Sequence, residues 1–249
     1  GSPTVVLVAG LKGSAEDWNI AKGSGPTVFA EVAKFTRVCA YDRPGTPVGE
    51  KPSRSNPVPQ PTTAGEAVAD LHALMRAAGE ARPCVLVGHS YGGAVITNAA
   101  HNNPNVTGLV YIAAFAPDED QALGDFVNPA NFPKELFLTD SGGFIYLNPE
   151  IFRENFAHDV TPEEADLMAI VQKPFNQSNF VAKSGPPAWK ELPTWYQISD
   201  ADRMIPPDVQ RTFAQQMNAT TLNLNASHAS YVSHPNEIAD FILNATKGK

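Results

Sequence analysis

The sequence predicts an α/β chain: a mostly parallel, doubly wound central sheet flanked by helices, with one inserted segment. Three observations carry this. Continuous apolar, β-branched runs of strand length recur along the chain, the pattern of strands covered on both faces. Segments with helical apolar spacing and capping signals stand between them. The strand–helix alternation is interrupted over residues 117–193, which points to an insertion.

Thr4-Val5-Val6-Leu7-Val8-Ala9-Gly10 reads as the first strand, closed by Gly. Thr36–Tyr41 is the second, stopped by Asp42-Arg43-Pro44-Gly45, and the Pro- and Ser-rich stretch Gly45–Pro61 is a surface loop. A helix is expected over Thr63–Ala78: Thr63 with Glu66 makes a capping box, Gly79 supplies the stop, and Val68, Leu71, Leu74, Met75 and Ala78 share a face. Cys84–Val87 is the third strand, Tyr91–His101 a helix, Gly108–Phe115 the fourth strand and Thr194–Ser199 the fifth. A helix over Pro207–Met217, a strand over Thr221–Leu224 and a helix over Asn236–Thr246 complete the pattern. The domain reading is therefore a core of 1–116 and 194–249 with residues 117–193 as a cap. That segment holds eight of the thirteen Phe, a hairpin turn at Asp140-Ser141-Gly142-Gly143 and a helix opening on the capping box Thr161-Pro162-Glu163-Glu164.

Composition narrows the function. With 249 residues, 43% hydrophobic and 18% charged, the chain has enough apolar residues for one large core. A net charge of −8 argues against a nucleic-acid partner, which needs a basic face. No apolar run reaches the roughly 20 residues of a membrane span. The chain is expected to be soluble, cytoplasmic or secreted with a leader removed, as a monomer or homodimer. Two cysteines, Cys39 and Cys84, are too few for a disulfide scaffold or a Cys-rich zinc site, and both read as core residues. Five sequons, beginning at Asn105, Asn176, Asn218, Asn225 and Asn244, hint at a secreted history.

The sharpest chemical signal is Gly88-His89-Ser90-Tyr91-Gly92-Gly93, which follows a buried strand and opens a helix. Gly-x-Ser-x-Gly in that context is a nucleophile elbow, where small flanking residues let the chain turn tightly and lift Ser90 above the sheet edge. A serine needs a base to take its proton. His228, after the last strand, is the candidate; His234 is its rival, ahead of Pro235 and the last helix. A carboxylate must then orient the imidazole. Asp202, after the fifth strand, is the first choice; Asp200 reads as a turn residue and Asp118, after the fourth strand, is the alternative. Two N–H donors are needed for the oxyanion. The Tyr91 amide is one, and the Leu11 amide, in Ala9-Gly10-Leu11-Lys12-Gly13, is the other.

These residues make the chain resemble the α/β-hydrolase superfamily, in its esterase-like branch of small proteins with a Gly-His-Ser-Tyr-Gly-Gly elbow. The resemblance runs through Leu7–Trp18, Tyr41–Gly45, Val85–Ala94, Leu109–Asp118, Gly185–Trp189, Asp202–Pro207 and Ser227–Pro235. It implies the α/β-hydrolase fold and the triad order Ser90, Asp202, His228. One departure stands out: the family has His-Gly after the first strand, where this chain has Ala9-Gly10. The missing His supports the oxyanion loop in the family. The family strand order also places the Cys39 and Cys84 strands on either side of the first, too far apart for a disulfide, so two free, buried thiols are expected.

The resulting expectation is hydrolysis of a hydrophobic carboxylic ester through an acyl-enzyme on Ser90, with no cofactor and no metal. Phe126, Phe132, Phe144, Phe152 and Trp189 are candidate pocket residues, each also able to serve as core of the cap. Two alternatives use the same triad: a carbon–carbon bond hydrolase or lyase, or a lactonase; and a ligand receptor with little turnover. An Asp-based dehalogenase or epoxide hydrolase is disfavoured, because the elbow residue is Ser.

Overall fold

The computed structural model describes residues 3–10, 13–43, 63–77, 83–128, 130, 132–141, 144–173 and 175–248. Six parallel strands form the main sheet: β1 (Thr4–Val8), β2 (Val38–Ala40), β3 (Cys84–His89), β4 (Val106–Ile112), β8 (Thr194–Ser199) and β9 (Thr220–Leu224). Their order is β2-β1-β3-β4-β8-β9. The two-residue period of a strand explains why the runs are continuously apolar. Val5 and Leu7 feed one core with Val85 and Val87, and Val6 and Val8 feed the other with Leu86. The first core is completed by Val28 and Val32 of α1 (Val28–Ala33) and Ile238 and Ile242 of α8 (Pro235–Thr246). The second is completed by Leu71 of α2 (Ala64–Ala77), Val95 of α3 (Tyr91–Ala99) and Phe213 of α6 (Pro207–Gln216).

Several expectations are adjusted. In α2 the capping box is present: the Thr63 N–H donates to Glu66 Oε2 at 2.6 Å and the Glu66 N–H to Thr63 Oγ1 at 3.3 Å. The buried stripe is Ala67, Leu71 and Met75, spaced by four, so Leu74 is turned out and 41% exposed. Ala78, Gly79 and the loop at 45–61 lie outside the described residues. The fourth strand starts earlier and ends at Ile112, because Ala113 takes a φ of +42°. Both thiols are free, but Cys39 is half-buried, since β2 is a three-residue edge strand; Cys84 is buried.

Between β4 and β8 the described chain adds no strand to the main sheet. It builds a second, antiparallel sheet from β5 (Phe137–Thr139), β6 (Phe144–Leu147) and β7 (Phe175–Asn176), with helices α4 (Pro149–Phe156) and α5 (Pro162–Val171). Thr161 caps α5 in a reciprocal box with Glu164. A short helix α7 (Ser230–Ser233) precedes α8. No described helix is long and apolar enough to cross a membrane.

Candidate active site

Ser90 occupies the corner between β3 and α3. Its backbone sits at φ 53°, ψ −122°, a region that costs a non-glycine residue roughly 1–3 kcal/mol and is held only where the surroundings enforce it. The enforcement is visible. The Ser90 N–H donates to the Ile112 carbonyl at 3.2 Å, and its carbonyl accepts from Gly93 and Phe115 at 3.1 and 3.0 Å. A Cβ at Gly88 would lie 2.5 Å from the Gly92 backbone, and one at Gly92 would lie 2.5 Å from the Val8 carbonyl oxygen. Side chains at either place would push the corner apart. The Tyr91 amide is the first of α3, so no upstream helical carbonyl is its partner, and the helix N-terminus favours negative charge.

His228 and Asp202 come from the loops after β9 and β8. His228 Nδ1 donates to Asp202 Oδ2 at 2.7 Å, with both side chains buried. The carboxylate is well supported: Oδ1 accepts the N–H groups of Met204 and Ile205 at 2.7 and 3.0 Å, and Oδ2 accepts Gln210 Nε2 at 2.8 Å. With Nδ1 committed to Asp202, Nε2 is the ring's other hydrogen-bonding nitrogen. His228 and Ser90 line one cavity of about 50 Å³. The rivals are engaged elsewhere. Asp118 pairs with Lys190 at 2.5 Å, Asp200 with Arg211 at 2.5 Å, and His234 faces Glu237 at 3.4 Å.

The loop after β1 runs beside the corner. A Cβ at Gly10 would lie 2.9 Å from Ser90 Cβ. Leu11, the expected second oxyanion donor, lies outside the described residues. Its flanks are held by Arg43, whose Nη1 donates to the Ala9 carbonyl at 2.9 Å and whose Nη2 donates to the Gly10 and Gly13 carbonyls at 2.8 and 3.3 Å. The guanidinium thus grips the loop at the place where Ala9 stands instead of the family His. Asp17 packs beside Gly13 and leaves no room for a Cβ there. Burial pushes its carboxyl up to about 7, against the lowering effects of a Ser14 hydrogen bond and the Arg43 charge.

His89 is more than an elbow spacer. Its Nε2 donates to the His228 carbonyl at 2.9 Å, and the two rings lie 4.7 Å apart. Burial, with the neighbouring His228, holds its pKa well below the usual histidine range, so it is a neutral donor.

Of the expected pocket residues, Phe132 alone lines the Ser90 cavity. Phe126 packs edge-on to Phe213 at 4.6 Å, and Phe152 stacks behind Phe156 at 4.8 Å. Phe144 is half-buried on β6, away from the cavity, and Trp189 is buried with its Nε1 donating to the Pro117 carbonyl at 3.3 Å. The walls are instead Phe115, Leu123, Phe137, Leu147, Phe156 and Phe180, with Met204 and Ile205. Phe115, Met204 and Ile205 sit just past strand ends that carry the site, which is the one signal that could have found them. Arg43 and Gln210 had none beyond lying near motif residues.

Residues 5–241 match the model of the alpha/beta hydrolase family. The alpha/beta hydrolase nvfD of Aspergillus novofumigatus is 27% identical over 207 residues, 78% of this chain and 82% of that one. The pyrethroid hydrolase of Sphingobium wenxiniae is 31% identical over 195 residues, 71% of this chain and 66% of that one. Among solved structures, polyneuridine aldehyde esterase superposes with a TM-score of 0.79 at 18% identity, over 99% of this chain and 100% of that one. The chain belongs to the alpha/beta hydrolase family and is an enzyme of its hydrolase and esterase kind.

Proposed function

We propose that the protein is a serine esterase that cleaves a hydrophobic carboxylic ester through an acyl-enzyme on Ser90. The observation that carries this is the buried His228–Asp202 hydrogen bond in the loops that border the Ser90 cavity. Asp202 fixes the imidazole tautomer that leaves Nε2 as the base. Ser90 Oγ attacks the ester carbonyl as His228 takes its proton, and the Tyr91 and Leu11 amides hold the oxyanion. The alcohol leaves with the proton from His228. Water, activated by the same imidazole, then releases the acid and frees Ser90.

Residues 117–193 act as the cap. They contribute Leu123, Phe132, Phe137, Leu147, Phe156 and Phe180 to the cavity wall, so the acyl group meets an apolar surface. A volume of about 50 Å³ accommodates a short acyl chain. The aromatic cap and the pyrethroid hydrolase relative support a hydrophobic substrate. Turnover of p-nitrophenyl acetate by the wild type, abolished in Ser90→Ala, tests the reading; undiminished turnover in that variant refutes it.

A further inference from the structure

The inserted segment meets the acid and base loops along one short strip, residues 154–159. His158 Nε2 donates to the Ala201 carbonyl at 3.0 Å, one residue before Asp202. Asp159 Oδ2 accepts the Ser227 N–H at 2.8 Å, one residue before His228. Upstream, the Glu154 carbonyl accepts from Arg203 Nη1 at 2.9 Å. Between them the Phe156 ring stands edge-on to the His228 ring, with centroids 4.8 Å apart at 78°. Residues on both sides of Asp202 and the residue before His228 are thus held from one place. The loops are also tied to each other, because the Ala201 N–H donates to the Ala226 carbonyl at 3.1 Å. Ala201 is gripped on its N–H by the base loop and on its carbonyl by the strip.

We propose that His158 and Asp159 form a clasp: two adjacent positioning residues that set the His228–Asp202 pair by holding the peptide groups of Ala201 and Ser227. The clasp rests on the triad reading above. Neither side chain lines the Ser90 cavity, so both act through the loops they hold. The residue types fit the task. A loop carbonyl needs a donor, which His158 supplies, and a loop N–H needs an acceptor, which the Asp159 carboxylate supplies. Burial alone would raise the Asp159 carboxyl; hydrogen bonding from Ser227, Ser233 and its own backbone together outweighs it and keeps the group below the usual range, hence an anion. Loss of either bond lets one loop shift. Displacement of a catalytic group by about 1 Å costs on the order of 100-fold in rate.

The test compares alanine variants with variants that keep the reach. His158→Ala and Asp159→Ala each remove one bond; His158→Gln and Asp159→Asn retain a donor or an acceptor. Hydrolysis of p-nitrophenyl acetate is measured per reactive site, counted with a fluorophosphonate, alongside thermal unfolding. The expected result is a kcat about 10-fold lower in each alanine variant and about 100-fold lower in the double variant, with KM nearly unchanged. The Gln and Asn variants stay within about 3-fold of wild type, a rescue that charge alone would not produce. Should an alanine variant not fold, Asp159→Glu, which keeps the charge and moves the acceptor, is expected to lose about 5-fold in kcat. Folded alanine variants, or Asp159→Glu, at wild-type kcat overturn the clasp, as do amide variants as slow as the alanines. Ser90→Ala separates the two claims: if it is inactive while the clasp variants are fully active, the clasp alone is wrong; if it is active, the triad and the clasp both fall.

Discussion

Replacing Arg43 with Met should uncouple the oxyanion loop from the rest of the site while sparing the triad. The guanidinium makes two good hydrogen bonds, at 2.9 Å to Ala9 and 2.8 Å to Gly10, and a longer one of 3.3 Å to Gly13. Hydrogen bonds with one charged partner contribute about 1.5–3 kcal/mol each, so the grip is of order 3–6 kcal/mol before water takes over the freed carbonyls. The loop it grips lies against Ser90, since a Cβ at Gly10 would come within 2.9 Å of Ser90 Cβ. A misaligned oxyanion donor acts only in the transition state, where losing one costs about 100- to 1000-fold in kcat. Arg43→Met is therefore expected to lower kcat for p-nitrophenyl acetate about 100-fold with little change in KM. Arg43→Lys, a point charge unable to fork across several carbonyls, should fall between, about 10-fold down. Steady-state kinetics with thermal unfolding of the same samples checks both. A folded Arg43→Met within about 2-fold of wild-type kcat would refute the reasoning, because the loop would then hold its shape unaided.

Asp202→Asn should cost about 10⁴-fold in kcat by presenting the wrong imidazole tautomer, and wild-type kcat in that variant would move the acid elsewhere. Gly88→Ala, whose Cβ would lie 2.5 Å from the Gly92 backbone, should destabilise the fold by about 3 kcal/mol or prevent folding; an unchanged melting temperature would mean the elbow has slack. Asp17, with its carboxyl near 7 against an ordinary 3.8, holds a proton in the folded state that the unfolded chain releases, so stability falls as pH rises from about 4 to 7 and levels off above. Asp17→Asn should remove that slope and stabilise the protein at pH 8 by at most about 4 kcal/mol; parallel pH profiles for wild type and variant would show that the carboxyl titrates normally.

The parts of the molecule written in local chemistry were readable from the chain. Thr4–Val8 and Cys84–Val87 read as strands because both faces of each are covered, and the boxes at Thr63/Glu66 and Thr161/Glu164 show in four residues each. The elbow reads the same way, since its two glycines answer a steric demand within five residues. What escaped depends on long-range packing. Composition marks residues 117–193 as aromatic but does not say which side of α4 meets the site: Phe152 and Phe156 are one turn apart, yet Phe156 touches His228 and Phe152 backs it. Arg43 reaches Ala9 across 34 residues, and no periodicity encodes that distance. Cys39 reads as buried but is half-buried, because an edge strand and a central strand of similar sequence look alike until the sheet order is known.

Mass spectrometry after treatment with a fluorophosphonate bears most directly on the serine mechanism. A single adduct on the peptide containing Ser90 is expected, formed much more slowly in His228→Ala and lost with all esterase turnover in Ser90→Ala. Labelling at another residue, or full turnover with Ser90 removed, would contradict it.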